Sequence, residues 1–265
     1  MSSILEPYRL FFDHRQVFWA AVKQTLKARH AGSILGSLWL LIGPLILLSL
    51  YAILYTLIFR VRPVNMSVTD YILYIFCGLI PFISFSQALA AGSAALSANN
   101  ALLLNRMFPA ELIPAREVVA SGMFMVVGGA VTITYKALTG GVTAAWLLLP
   151  VIVALMTMAT CGAVWGLSLA NLVLKDVQQI VGYVVMLILV ASPIAYTPDM
   201  VPPALRVLLY LNPFAYYVSA FQTILVLGQW PRPVILIGCV AFALISFHGM
   251  YKVFKLGKSI IADHI

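Results

Sequence analysis

Charged residues are missing from long stretches of this chain, and those stretches are apolar. Of its 265 residues, 16 are Lys or Arg and 8 are Asp or Glu. An apolar run of about 18 residues can cross a bilayer as a helix, and a charge at the bilayer centre costs about 3 kcal/mol or more. Charge-free runs close to or beyond that length lie between Arg29 and Arg60, Asp70 and Arg106, Glu117 and Lys136, Lys136 and Lys175, Asp176 and Asp199, and Arg232 and Lys252.

The composition supports the same interpretation, because 63% of the residues are hydrophobic and the mean hydropathy is +1.02. Soluble domains are about 45–50% apolar. The sequence therefore predicts an all-α polytopic membrane protein. Since these apolar runs carry no charge, we expect no proton relay or ion-pair site within them, and any energy for uphill transport would come from another subunit.

Six transmembrane helices are predicted within residues 34–265. The run Phe214–Leu227, shortened by Asn212-Pro213 and by the Gly228–Pro231 segment, has only 14 residues. A run of about 10–14 apolar residues is typical of a re-entrant or interfacial helix. The predicted spans are Ile34–Phe59, Tyr71–Leu96, Val118–Tyr135, Ala145–Leu174, Gln179–Ala195 and Val234–Phe254.

Residues 1–33 form a separate N-terminal segment, in which residues 4–29 are predicted to be an amphipathic helix. Aromatic and aliphatic side chains recur at spacings of three and four, with cations on the other side. This pattern indicates a helix in the membrane interface or one packed on the protein's own surface, and we favour the interface. Lys23, Lys27 and Arg29 would lie at headgroup depth, where they could recruit a phosphate group or simply anchor the chain.

The distribution of Lys and Arg predicts the orientation. With six spans and both termini on one side, eleven of these cations lie on that side and five on the other. Cytoplasmic loops carry the excess of cations, so both termini are predicted to be cytoplasmic. The net charge of +8 then indicates contact with anionic lipid rather than with nucleic acid.

No motif for catalysis is present. The four histidines are too far apart in sequence to form a paired metal-binding motif, and no Ser stands in a GxSxG turn. Gly257-Lys258-Ser259 resembles the end of a phosphate-binding loop, but position 252 is Lys where that loop requires Gly. The chain is therefore predicted not to hydrolyse ATP and to have no catalytic, cofactor or metal site.

Two loop regions carry the other candidate residues. Residues 97–117 mix charges and prolines, which is typical of either a helix that docks on a soluble partner or a solvated loop. Residues 196–230 are predicted to form a broken, re-entrant gate, because five prolines between 191 and 214 prevent one straight helix. The aromatic residues that could line an exit path, or only anchor the protein at the interface, are Tyr51, Tyr55, Tyr196, Tyr210, Tyr216 and Tyr217.

Three blocks of sequence resemble the membrane (permease) subunits of bacterial polysaccharide ABC exporters, the O-antigen, capsule and teichoic-acid permeases. The first runs from Lys27 to Trp39 and on to Pro44. The second joins Gly78-Leu79-Ile80-Pro81-Phe82 to the stretch from Asn105 to Pro114. The third comprises Lys175-Asp176, Ser192-Pro193-Ile194 and Asn212-Pro213. His30 and Lys175 depart from the Tyr and Arg that are usual in the family.

The resemblance implies a homodimer of six-span chains in the bacterial inner membrane, driven by two copies of a separate ATPase that binds ATP and Mg. It implies a coupling helix in the 97–117 loop, with Arg106, Glu111 and Arg116 as candidate contacts to the ATPase. The implied cargo is a lipid-linked polysaccharide, and we favour an O-antigen-like polymer. Capsule, teichoic acid, a drug or a small lipid remain alternative cargoes, and a membrane-embedded glycosyl or acyl transferase is an alternative of another class.

The orientation can be tested with alkaline phosphatase fusions, which are active only outside the cytoplasm. We expect activity from a fusion after Lys136 and none from a fusion after Lys258, since the 11:5 cation bias puts the tail inside. An active fusion after Lys258 would restore a seventh span at 207–231 and contradict the predicted topology.

Overall fold

The computed structural model describes residues 4–29, 31–58, 66–99, 108–140, 142–197, 200–202, 204 and 206–258. Within these ranges the chain contains helices and turns and no strand. The α-helices are α1 Glu6–Asp13, α2 Arg15–Arg29, α3 Trp39–Ile53, α4 Val68–Ser93, α5 Leu112–Thr139, α6 Leu149–Val173, α7 Val177–Ala191, α8 Arg206–Leu211, α9 Pro213–Leu225 and α10 Pro233–Leu256.

Four helical segments are long and apolar enough to cross a membrane, namely α4, α5, α6 with its preceding turn, and α10. These segments confirm the predicted class of an all-helical membrane protein. Helix α5 extends beyond its predicted span at both ends, and α4 begins before its predicted span. Asp70, Arg116, Glu117 and Lys136 therefore lie in or near the end turns of α4 and α5. Two shorter apolar helices, α3 and α7, have 15 residues each.

The first predicted span differs from a single α-helix. It begins with a 3₁₀ turn at Gly36–Leu38, continues as α3, and ends in a π-helical turn at Leu54–Ile58. Alone, α3 is about 22 Å long, shorter than the hydrocarbon core of about 30 Å. Pro44 lies inside α3 and lacks the N–H that a regular helix needs. Phe59, the predicted end of the span, lies outside the described residues.

Glycines set the closest contacts between helices. A Cβ on Gly92 of α4 would lie 2.3 Å from the Val164 side chain of α6, and one on Gly162 would lie 2.3 Å from the Ser246 backbone of α10. The small-residue spacings Ala88-x3-Gly92 and Gly162-x3-Gly166 therefore mark helix contacts. The spacing Gly32-x3-Gly36 does not, because both glycines adopt positive φ in the turn before α3 and have no neighbour near the Cβ position.

The bundle has two ends that differ in chemistry. Lys255 near the end of α10 forms an ion pair with Glu6 of α1, so both lie at the same end, which we call the terminal end. At the opposite, distal end, Lys136 of α5 pairs with Asp70 of α4 at 2.9 Å. Ser67 caps α4 there by accepting a hydrogen bond from the Asp70 N–H.

The N-terminal helices contact the bundle and also expose apolar side chains. Phe18 and Val22 of α2 are buried in the core cluster, and α2 packs against α5. Phe12 and Trp19 are 68% and 53% exposed. One face of this segment therefore packs on the protein itself, and another face remains apolar where a lipid surface could take it.

The distal segment between α7 and α10 is broken, as its prolines predict. The chain leaves α7 at Ser192 and passes through α8 and then α9, which has 13 residues. The start of α9 lies beside Phe85, well along α4, where the rings of Phe85 and Phe214 stack with centroids 4.7 Å apart. Its later residue Gln222 lies beside Tyr74, near the distal end of α4. Thus α9 runs from the interior of the bundle towards the distal end.

The Gly162 contact predicts a matched pair of mutant effects. We expect Gly162→Ala to lower the free energy of unfolding by about 1–3 kcal/mol, because the new methyl group meets the Ser246 backbone, which no rotamer change can relieve. Gly249→Ala in α10 is the control, because its added Cβ has no neighbour within 4 Å. Thermal unfolding in detergent would measure both, and equal melting temperatures would contradict the assigned packing.

Candidate functional site

A network of charges joins α2, α5 and the end of the α4 segment at the terminal end. Arg29 pairs with Glu117 at 2.9 Å and also donates a hydrogen bond to Ser121 at 3.1 Å. Glu117 in turn contacts Arg116 at 3.3 Å, and Arg116 donates to the side-chain oxygen of Asn99 at 2.6 Å. We call these five residues the terminal ionic cluster.

The cluster is largely shielded from solvent. The side chains of Arg116 and Glu117 are 10% and 12% exposed, and that of Arg29 is 26% exposed. The Glu117 carboxylate contacts both arginines, and Arg116 also bonds to the amide of Asn99. Each charged group in the cluster therefore has a polar partner. Removing one partner of such an ion pair lowers stability, because the other charge is then left without a partner and with little access to water.

Glu111, just before α5, is held separately by two other helices. It is 2% exposed, and one carboxylate oxygen lies 2.7 Å from Nζ of Lys258. Its backbone carbonyl accepts a hydrogen bond of 2.8 Å from the indole of Trp165, which is fully buried in α6. The rings of Phe247, Tyr251 and Phe254 in α10 pack around that indole. The entry to α5 is therefore fixed to α6 and to the end of α10.

The predicted terminal-end residues fall into three groups. Arg106 lies outside the described residues. Glu111 and Arg116 are buried and paired within the chain, and Arg29, which is more exposed, pairs with Glu117. Lys23 and Lys27 are exposed on α2. Sequence reasoning did not select Glu117, Asn99, Lys258 or Trp165, although Glu117 is the last charge before a long apolar run and could have been singled out for that reason.

At the distal end, a row of tyrosines connects α3 to the broken segment. The rings of Tyr51 and Tyr55 are stacked with centroids 6.1 Å apart, and Tyr55 meets Tyr71 of α4 edge-on at 6.0 Å. The Tyr71 hydroxyl donates a hydrogen bond of 2.8 Å to the carbonyl of Ala195. The predicted pair, Tyr51 on α3 and Tyr55 in the π-helical turn that follows it, is thus connected through Tyr71 to the proline-rich segment.

Gln222 of α9 holds the broken backbone against α4. Its side-chain nitrogen lies 3.0 Å from the carbonyl of Pro193, 3.1 Å from that of Ile194 and 3.2 Å from that of Tyr74. It is 1% exposed. Sequence reasoning missed this residue, because an isolated Gln in an apolar run carries no motif.

The remaining predicted tyrosines differ in placement. Tyr196 and Tyr216 are partly exposed, and their hydroxyls donate to the carbonyls of Val190 and Tyr210 respectively. Partial burial raises the pKa of Tyr196 above its ordinary value, so this ring stays neutral at physiological pH. Tyr217 is 1% exposed and donates to the carbonyl of Cys239, which assigns its ring to packing between α9 and α10 rather than to a surface.

Among the described residues, no group of three or more His, Cys, Asp or Glu side chains lies close enough to hold a metal ion. Cys77, Cys161 and Cys239 are buried free thiols. The side-chain contacts hold the start of α5 against α2, α6 and the end of α10 at one end, and the broken segment against α4 at the other.

Comparison with known proteins identifies the family. The profile of the ABC-2 type transporter family matches residues 16–226. The chain is 26% identical over 261 residues to the O-antigen export system permease protein RfbA of Myxococcus xanthus. The aligned residues cover 97% of this chain and 98% of that protein. Two proteins of the same name from Klebsiella pneumoniae are 26% and 25% identical over 205 residues, 77% of both chains in each case. This chain belongs to the ABC-2 type transporter family.

The terminal ionic cluster predicts a non-additive mutational effect. We expect Arg29→Gln and Glu117→Gln each to lower the free energy of unfolding by about 1–3 kcal/mol, and the double variant to lose clearly less than the sum, because the two groups contact each other. Thermal unfolding in detergent measures the cycle. Lys23→Gln on the same helix is the control and should be nearly silent. Strictly additive losses would show that the pair does not interact.

Proposed function

We propose that this chain is the membrane permease subunit of an ATP-driven exporter that moves a lipid-linked, O-antigen-like polysaccharide across the bacterial inner membrane. The observation that carries the proposal is the similarity to an O-antigen export permease over 97% of the chain. Membership of the ABC-2 family and four long apolar helices support it.

In this proposal the chain crosses the membrane six times, with α3 and α7 as the two additional spans. The helical stretch from Gly36 to Ile58 supplies the length that α3 alone lacks. Helix α7 ends within the bundle at Ser192, and α8 and α9 form the re-entrant part. The terminal end faces the cytoplasm, in agreement with the excess of cations there.

A separate ATPase subunit docks at the terminal end, and two copies of each subunit complete the transporter. The buried residues Glu111 and Arg116 act here by fixing the entry to α5, so that a force on the 97–117 loop is transmitted to α2, α6 and α10 together.

The exposed residues Lys23 and Lys27 are available to the phosphate groups of the lipid carrier. A second copy of the chain has a surface in α7, which buries only Val181 and exposes apolar side chains along its length.

The path for the sugar chain ends at the distal segment. Tyr51 and Tyr55 offer stacked rings towards it, and Tyr196 and Tyr216 lie along it. Sugar rings have apolar C–H faces that stack on aromatic rings without strong directional bonds. Weak, repeated contacts of this kind let a polymer slide, whereas a tight site would stall it.

Reconstitution tests the function directly. The chain would be coexpressed with an ABC-exporter ATPase subunit from the same organism, purified as a complex and placed in vesicles with lipid-linked polysaccharide on the ATPase side. We expect ATP-dependent transfer of the polymer into the lumen, where added glycosidase cannot reach it. If the complex copurifies but transfers none of the bacterial lipid-linked polymers supplied, the proposal is contradicted.

The tyrosine row yields a prediction within this assay. We expect Tyr51→Ala with Tyr55→Ala to reduce polymer transfer at least severalfold while leaving basal ATP hydrolysis intact, because the rings contact sugar and not the ATPase. Tyr135→Ala, an exposed tyrosine on α5, is the control and should transfer normally. Normal transfer by a stable double variant would mean that the two rings only anchor the protein.

A further inference from the structure

Two cavities adjoin at the distal end, between α9 and the start of α10. The first has a volume of about 310 Å³ and the second about 250 Å³, and both are lined by Ser219, Arg232 and Ile235. Ligand pockets in proteins begin at about 300 Å³. The first cavity reaches this size and the second comes close to it, so each has room for about one small ring. Together they form a groove in which Arg232 lines both parts. We call it the Arg232 groove.

The turn between α9 and α10 builds the first cavity. Gly228 adopts a φ of 63°, where other residues are strained, and a Cβ on it would lie 2.8 Å from the Thr143 side chain. The N–H of Gln229 donates a hydrogen bond to the carbonyl of Thr223. Residues 229–232 then lead to α10 without regular secondary structure. Gln229, Trp230 and Arg232 of this stretch all line the first cavity.

The groove combines a cation, an exposed aromatic ring and several uncharged polar groups. Arg232 is exposed, and no carboxylate among the described residues forms an ion pair with it. Trp230 is 59% exposed. The polar groups of the first cavity include Thr197, Ser219, Thr223 and Gln229.

Each group matches a different part of an acidic sugar. A guanidinium binds a carboxylate or phosphate through two parallel hydrogen bonds. An indole ring stacks on the C–H face of a pyranose. Hydroxyl and amide groups donate to and accept from the sugar hydroxyls. A site for an apolar lipid tail would need neither the cation nor these polar groups.

The second cavity continues the groove towards the broken segment. It is lined by Tyr210 and Tyr216 as well as by Pro193. The Tyr216 hydroxyl donates to the Tyr210 carbonyl at 2.9 Å, and its ring packs where a Cβ on Gly238 would be 2.6 Å away. These contacts fix the ring beside Arg232, where the neighbouring sugar of a chain would lie.

We propose that the Arg232 groove binds an acidic sugar unit, a uronic acid or a sugar phosphate, of the exported polymer as it leaves the distal end. Arg232 binds the acid group, Trp230 stacks on the ring, and the second cavity takes the adjacent unit. This inference rests on the proposed export function and adds to it that the cargo carries negative charge.

Binding to the full chain, without the ATPase, tests the groove independently of transport. The chain would be placed in nanodiscs of phosphatidylcholine, and affinities measured by ligand-observed NMR for methyl glucuronide, glucose 1-phosphate, methyl glucoside and inorganic phosphate. We expect the two acidic sugars to bind at least fivefold more tightly than the glucoside. Arg232→Gln should abolish this preference, Arg232→Lys should retain part of it, and Trp230→Ala should weaken binding of all three sugars.

Arg206→Gln is the matched control, because Arg206 of α8 donates to the Val201 carbonyl and lines neither cavity. Melting temperatures would confirm that each variant is folded. Equal affinity for glucuronide and glucoside, or a preference that survives Arg232→Gln, would overturn the proposal. Inorganic phosphate binding as tightly as glucose 1-phosphate, with no effect of Trp230→Ala, would leave an anion site only and overturn the sugar assignment.

The vesicle assay separates this inference from the function on which it rests. If the wild-type complex transfers polymer but the groove shows no acidic preference, the inference fails and the export function stands. If the groove binds acidic sugars but the complex transfers no polymer, the export function fails.

Discussion

Backbone groups inside an apolar bundle need hydrogen-bond partners, and the side chain of Gln222 supplies a donor where the helices do not. The segment after α7 is broken by prolines, so the carbonyls of Pro193 and Ile194 lack the partners that a helix would give them. The Gln222 amide lies 3.0 and 3.1 Å from these carbonyls. Non-helical backbone survives at membrane depth only against such partners or water. Closure of the distal segment therefore depends on this amide.

Charged side chains are also costly inside an apolar bundle, and the ion pairs lie at its two ends. At the terminal end, the ionic cluster of Arg29, Asn99, Arg116, Glu117 and Ser121 joins α2 to α5 and to the end of the α4 segment. Lys258 and Trp165 tie the entry of α5 to α10 and α6. In the proposed function, a force that reaches the start of α5 would thus move several helices together. Within the distal segment, α9 is buried in the bundle, whereas α8 buries no residue.

The sequence predicts the helical membrane class and the long helices well, because apolar runs and the cost of buried charge decide both. It also predicts that α9 is short, since Pro213 and Gly228 bound it. It does not predict the pairing of Arg29 with Glu117, which are 88 residues apart, or the division of the first span into three helical types. The sequence predicts the same role for the adjacent Tyr216 and Tyr217. Neighbouring residues on a helix point about 100° apart, however, and only Tyr217 faces the core.

A reversible lock on the distal segment tests the account most directly. A Cβ on Gly78 of α4 would lie 3.2 Å from the Cα of Ile194, close enough for a cysteine pair in a chain whose three native cysteines are replaced by alanine. In vesicles with the ATPase, we expect the oxidised double variant Gly78→Cys/Ile194→Cys to hydrolyse ATP but to transfer no polymer. Reduction of the disulfide should restore transfer. Oxidation should change transfer in neither single variant. Undiminished transfer by the fully oxidised pair would show that this segment does not open, and would contradict its role as the gate.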